Sequence, residues 1–326
     1  STLASGFITA LHVARSGDLW IGSRRGISCY HQKSESFSNF QHLAQKRGSS
    51  GRWTVLDIKE DPDGSLWLAT EKLGLLKFNP RSKKLRRFSH PLIRNADQFV
   101  PIRKILVDSK ARVWLGSDGN GLVIFEPSAG RWEAIPYQAA MNDAKRGKLV
   151  IQSLFKDASD RIWIGCDVGL GFVKEDGNMR IQSPHFAGID FGRAGSETAI
   201  LSILEQNGNL WFGTRNGLFR YQKSSRTMTL FQSDSQDPYS LPDNTIHCLL
   251  HDKSGNIWAG TDFGGISKLD LENLKFKIYR HPGTGSSHHS SAVNVVRSIL
   301  KSDRHGIYAG TLGEGLLQYD LNGNVQ

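Results

Sequence analysis

An aromatic residue followed by x-[Gly/Ala]-[Ser/Thr/Cys] occurs seven times in this chain, at Trp20, Trp67, Trp114, Trp163, Trp211, Trp258 and Tyr308. The intervals are 47, 47, 49, 48, 47 and 50 residues. Self-similarity at a near-fixed period of this length marks an array of equivalent units, each too small to bury its apolar face without a neighbour.

Aligned on the aromatic, every unit has one grammar. An apolar stretch comes first (8–13, 55–58, 102–107, 151–155, 200–204, 246–250 and 293–300), then a polar turn such as Asp61-Pro62-Asp63-Gly64 or Lys253-Ser254-Gly255-Asn256. The short aromatic stretch follows, then a glycine opening a third stretch (Gly74-Leu75-Leu76-Lys77-Phe78), then an outer one (Leu85-Arg86-Arg87-Phe88). Runs of four to six residues bounded by Asp, Asn, Gly and Ser read as β-hairpins. The spacing predicts an all-β chain: one seven-bladed β-propeller of four-stranded antiparallel blades, with approximate boundaries 6–52, 53–100, 101–148, 149–198, 199–244, 245–291 and 292–326. The repeated aromatic is expected to be buried between neighbouring sheets. The small residue two positions later is expected to make room for the next sheet.

Composition agrees: 34 glycines, 38% hydrophobic and 22% charged residues suit a turn-rich β protein. The formal charge is +10 without a run of five like charges, so no nucleic-acid partner is expected. The basic cluster at 81–87 reads as a charged outer strand edge that resists aggregation. Cys29, Cys166 and Cys248 lie in different units with no paired spacing, and free thiols are expected rather than disulfides or a zinc site. No apolar run is long enough to span a membrane, and Ser1-Thr2-Leu3-Ala4 does not open a leader, which reads as an excised or processed domain without direct membrane insertion.

The pattern Asp-x-x-Gly-x-Leu-Trp-x-Gly-Thr-x-x-Gly-Leu, best at 61–75, 208–218 and 252–266, resembles the two-component-regulator propeller repeat. Such repeats build the periplasmic sensor regions of bacterial hybrid two-component histidine kinases and some diguanylate cyclases. The resemblance implies a periplasmic ligand-sensing domain, not itself an enzyme. It implies an oligosaccharide or similar polar ligand, a second propeller of the same receptor and a receptor dimer as partners, and output through cytoplasmic domains outside this sequence.

Chain direction sorts the connections onto two faces. Turns after the first and third strands share one face. Loops after the second and fourth share the other, which receives the long segments 41–52, 91–100, 137–148, 183–198, 233–244 and 281–292. Long loops on a rigid scaffold commonly carry binding residues. The candidate ligand-binding set on that face is Arg24, Arg25, Trp53, Lys72, Phe99, Asp118, Asn120, Tyr137, Asp167, Arg215, Asn216, Tyr239, Asp262 and Glu314, with Phe186 and His289 nearby. Aromatics there would stack, and charged or amide groups would hydrogen-bond.

No cofactor or catalytic residue is assigned. His288-His289 with His281 does not make a closed metal site, and phosphate-cradling and dinucleotide motifs are missing from the sequence. Two propeller enzymes remain as alternatives. A sialidase-like glycosidase needs converging arginines plus a Tyr–Glu nucleophile pair, and a streptogramin-type lyase needs a histidine base on the axial face. A pure protein-interaction propeller is the third.

Overall fold

The computed structural model describes residues 2–44, 53–95, 98–136, 149–173, 179, 181–182, 199–252, 254–280, 295–302 and 306–320. Among them there is no α-helix. Two single-turn 3-10 segments, Gln41–Ala44 and Pro91–Ile93, interrupt an otherwise all-β chain.

The first unit shows the plan. Strands Ile8–Val13, Leu19–Ser23, Gly26–His31 and Ser36–Asn39 pair in chain order, each antiparallel to the one before. The second, fifth and sixth units repeat it as separate four-stranded sheets. The third and fourth also have four strands each, but they form one eight-stranded sheet. The strand Val113–Gly119 overruns its hairpin there, and Asp118 and Gly119 pair with Val150 and Leu149. The last unit departs from the expected four strands, with Val296–Ser302, Gly306–Thr311 and Leu316–Tyr319 as its only strands among the described residues. A two-stranded ribbon, Arg94–Asn95 with Gln98–Phe99, is an addition the repeat pattern did not signal.

Hairpin chemistry fixes the register. The Ser/Thr/Cys closing each second strand gives its side-chain proton to the carbonyl of the glycine that opens the third: Thr214 to Gly217 at 2.8 Å, Thr261 to Gly265 and Thr311 to Gly315 at 3.0 Å, and the Cys166 thiol to Gly169 at 3.1 Å. That glycine has positive φ, +115° at Gly217, a conformation only glycine adopts without strain. At the other end, the first residue of the polar turn holds the aromatic: the indole N–H groups of Trp114, Trp163 and Trp258 donate to Asp108, Asp157 and Asp252 at 2.8, 2.8 and 2.9 Å. The aspartate six residues before the aromatic thus caps the hairpin and satisfies the indole in these three units, whereas the indole N–H groups of Trp67 and Trp211 have no partner among the described residues.

Each aromatic packs against the following unit. Trp20 clusters with Val55, Leu66 and Leu68, Trp67 with Ile102 and Val113, Trp163 with Ile200 and Leu210, and Trp258 with Val296 and Ile307. Tyr308 completes the series by packing on Ile8, Leu19 and Ile21 of the first unit. Burying one such ring contributes roughly 4–6 kcal/mol before entropy is charged against it. The glycine two residues later lies where the next sheet presses closest: a Cβ on Gly116 would sit 2.5 Å from Ile151 Cγ2, and one on Gly310 2.5 Å from Ile8 Cγ2. First strands pack side by side around the whole series, and Val296–Ser302 returns onto Ile8–Val13.

Candidate functional site

All seven first strands carry a β-bulge at the same place. In the first unit, Ile8 pairs with Ser23 and Ala10 with Gly22, leaving Thr9 as the extra residue. The corresponding residues are Leu56, Arg103, Gln152, Leu201, His247 and Arg297. A bulge re-aims a side chain. Here all seven bulged residues line one cavity of about 760 Å³ at the centre of the ring of first strands.

A second tier comes from the residue just after each second strand. The N–H of the residue after the closing Ser/Thr/Cys donates to the carbonyl two residues before the bulged one: Arg24 to Phe7, Glu71 to Thr54, Asp118 to Pro101, Asp167 to Val150, Asp262 to Thr245 and Leu312 to Val295. Those bonds hold the second tier over the first. Arg24, Glu71, Arg215, Asp262 and Leu312 reach the cavity, joined by Lys72 and Lys104.

The lining is strongly cationic, with six arginine and lysine side chains (Arg24, Lys72, Arg103, Lys104, Arg215, Arg297) against two carboxylates (Glu71, Asp262). Arg103 is held by Asp118 through Nε at 3.1 Å and Nη2 at 2.5 Å. His247 Nε2 lies 2.8 Å from Asp262 Oδ1, and Arg297 Nη1 lies 3.1 Å from His247 Nδ1. An arginine has no lone pair to accept with. The consistent tautomer therefore donates Nε2–H to Asp262 and accepts from Arg297 at Nδ1. Burial, then the Arg297 charge, lowers the His247 pKa below the usual histidine range against the opposing pull of Asp262. Burial also lowers the Arg297 pKa, with Arg215 and Arg103 adding repulsion to the attraction of Asp262. Arg215 and Arg103 therefore both repel Arg297.

Of the residues expected from sequence, Arg24, Lys72, Arg215 and Asp262 line this cavity. Asp118 borders it through Arg103. Arg25 is exposed outside the lining. Asp167 accepts from the Val150 N–H, Asn120 donates to the Leu92 carbonyl, Asn216 accepts from Gln232, and the Glu314 N–H bonds Thr311; none of the four is in the described lining. Of the expected aromatic stacking residues, Trp53 and Tyr239 are not in the described lining. Trp53 is 2% exposed, with its indole bonded to the Gln41 carbonyl and its ring pressed beneath Gly26. Tyr239 is half exposed, but its carbonyl accepts from Phe276 on the outer strand Lys275–Tyr279, at the periphery. Tyr137, Phe186, His281, His288 and His289 lie outside the described residues, as do the loops 45–52, 137–148, 183–198 and 281–294, and the side chain of Phe99 is likewise outside them.

Sequence reasoning missed the bulge tier. Its signal was present: six of the seven residues stand 11 positions before the aromatic, and Leu201 stands 10 before, because its hairpin turn is one residue shorter. Also unanticipated is a group at the far end of the first unit, where donor atoms of Asp18, Cys29 and His31 lie within 4.8 Å of one another. Burial first, then the Asp18 charge, pushes the Cys29 thiol up to about 12, so it is protonated at neutral pH.

Comparison with known proteins agrees with this architecture. Residues 240–263 match the two component regulator propeller family. Histidine kinase P4 of Formosa agariphila is 25% identical over 212 residues, taking in 63% of this chain and 14% of that protein. The extracellular domain of a putative one component system from B. thetaiotaomicron superposes with a TM-score of 0.72 at 19% identity, over 97% of this chain and 38% of that one. Virginiamycin B lyase from Staphylococcus aureus superposes with a TM-score of 0.69 at 14% identity, over 97% and 95% of the two chains. The chain spans about a seventh of the curated relative and well under half of the extracellular domain. At these identities the structural likeness establishes a propeller-like all-β fold. Among the described residues, no helix is long and apolar enough to cross a membrane.

Proposed function

We propose that this chain is the ligand-sensing, extracytoplasmic propeller of a bacterial membrane-bound receptor related to the hybrid two-component histidine kinases. It has seven blades over residues 1–326 and takes a polar ligand, an oligosaccharide by analogy with that family, at the axial mouth. The observation that carries this reading is the bulge repeated in all seven first strands, which sends one side chain per unit into a single cavity. A bulge displaces ladder hydrogen bonds, and its recurrence exactly where a cavity opens fits a surface built for binding. Signal output, a second propeller and a receptor partner belong to the longer protein that the match to histidine kinase P4 points to.

The purified chain is expected to bind at least one oligosaccharide saturably on a glycan array. Filling the mouth with Leu56→Trp and Leu201→Trp together should abolish that binding while leaving the fold intact by circular dichroism. Binding that survives the filled mouth, or a ligand located on the opposite, tight-turn face, overturns the reading. No glycan binding, with strong crosslinking of the disc to a partner chain, would favour a docking propeller instead.

One observation favours a lyase as the second reading: a histidine of lowered pKa stands in the mouth of a fold that superposes on virginiamycin B lyase end to end. Against it, both nitrogens of His247 are engaged, Nε2 by Asp262 and Nδ1 by Arg297, which leaves neither to take a substrate proton. The glycosidase reading finds its converging arginines here, but among the described residues no tyrosine lines the cavity for a Tyr–Glu pair.

A further inference from the structure

We propose that the mouth selects an acidic oligosaccharide, a short sugar chain bearing at least two carboxylate or sulfate groups, and discriminates against neutral glycans. This deepens the reading of the axial mouth as the ligand site and rests on it.

Three features of the lining carry the inference. First, the charge is lopsided: the cations exceed the carboxylates by four, or by three when Asp118 is counted against Arg103. Lys72, Lys104 and Arg215 make no ion pair with any described residue, whereas cations elsewhere in the fold, such as Lys77, Arg112 and Lys223, are neutralised by nearby aspartates or glutamates. Holding like charges around one concave mouth costs free energy through repulsion, and an oxyanion placed among them removes that cost. Charge-assisted hydrogen bonds from guanidinium to carboxylate or sulfate are also about twice as strong as neutral ones.

Second, among the described residues no aromatic side chain lines the cavity. Recognition by the described lining falls to charge and hydrogen bonding.

Third, groups suited to sugar hydroxyls lie among the cations. Thr9, Thr54, Gln152, Thr245 and the carboxylates Glu71 and Asp262 offer acceptors that a bare inorganic anion would not need, and that would repel it in the case of the carboxylates. The cavity volume of about 760 Å³ suits a short oligomer or a chain end.

The test is calorimetric titration of the whole chain with tetragalacturonate, its fully methyl-esterified counterpart, a sulfated carrageenan tetrasaccharide, cellotetraose and sodium sulfate, each at low and high salt. At least one of the two acidic sugars should bind with salt-sensitive affinity. The ester and cellotetraose should not, and sulfate alone should bind at least tenfold more weakly than the sugar. Arg215→Gln and Lys72→Gln, at exposed loop positions outside the described ion pairs, should each weaken the acidic sugar roughly tenfold, with melting temperature unchanged. Equal binding of the ester, or no effect of salt and of both substitutions, overturns the inference while leaving a neutral-sugar sensor standing. Sulfate as tight as the sugars overturns the glycan assignment. If no glycan of any charge binds at the mouth, the parent reading fails along with this one.

Discussion

Two partly buried histidines, His12 and His247, show how single side chains couple this fold to pH. Burial comes first in depressing both, with the neighbouring cations Lys59 and Arg297 adding to it. Their folded-state pKa values therefore lie below the 6.5 of the unfolded chain. Between those values the unfolded chain binds more protons than the folded one, so unfolding free energy falls as pH drops below about 6.5. Denaturant midpoints measured from pH 7.5 down to 5 should decline, and His247→Asn should flatten part of that slope. A slope of the opposite sign would contradict the burial described. Asp108 and Asp252 act in the same direction further down. Burial opposes their ionisation, but hydrogen bonds from Trp114 and Arg112, and from Trp258 and Asn256, hold both below the usual carboxylate range. Their contribution is present above pH 3.8 and is lost as pH falls through the lowered values.

At the scale of the hairpin, the glycine that opens each third strand is constrained twice at Gly217. Its φ is +115°, and a Cβ there would stand 2.3 Å from the Phe231 carbonyl oxygen. Gly208 shares the positive φ, +71°, but faces open space. Gly217→Ala is therefore expected to destabilise by about 2–4 kcal/mol, combining backbone strain with the clash, and Gly208→Ala by about 1 kcal/mol from strain alone. Thermal melts of the two variants side by side check the ordering. The basic outer strand Lys84–Phe88 behaves as the charge pattern foretold, its lysine and arginines exposed and Arg86 lying 4.7 Å over the Phe88 ring.

For the molecule as a whole, the key contact is the return of the last unit to the first. Tyr308, 1% exposed, depends on Ile8, Leu19 and Ile21 for its cover, and Gly315 N–H donates to the Gly6 carbonyl at 2.9 Å. A chain beginning at residue 14 loses only the strand Ile8–Val13 of the first unit, yet it removes Ile8 from the cover of Tyr308 and Thr9 from the mouth. It should unfold at least 10 °C below the full chain, with a broadened transition and binding of a hydrophobic dye, if neighbouring sheets stabilise one another around a ring. An unchanged, sharp melt would mean the units are stable without closure.

The sequence by itself determined the repeat, the strand order within a unit, the burial of Trp67, Trp114, Trp211 and Trp258, and the face on which Arg24, Lys72, Arg215 and Asp262 emerge. All of these follow from local periodicity, turn chemistry and the need to cover a large ring. Tertiary structure alone decided that Trp53 is core, that Tyr239 sits at the periphery and that Arg103, His247 and Arg297 face one another. The repeat fixes each bulged residue's offset from the aromatic, but a bulge is a mismatch between two strands, and only their pairing shows which residue is the extra one. The cationic mouth is likewise a sum over seven segments nearly fifty residues apart, brought within reach of one ligand by closing the sheets into a circuit.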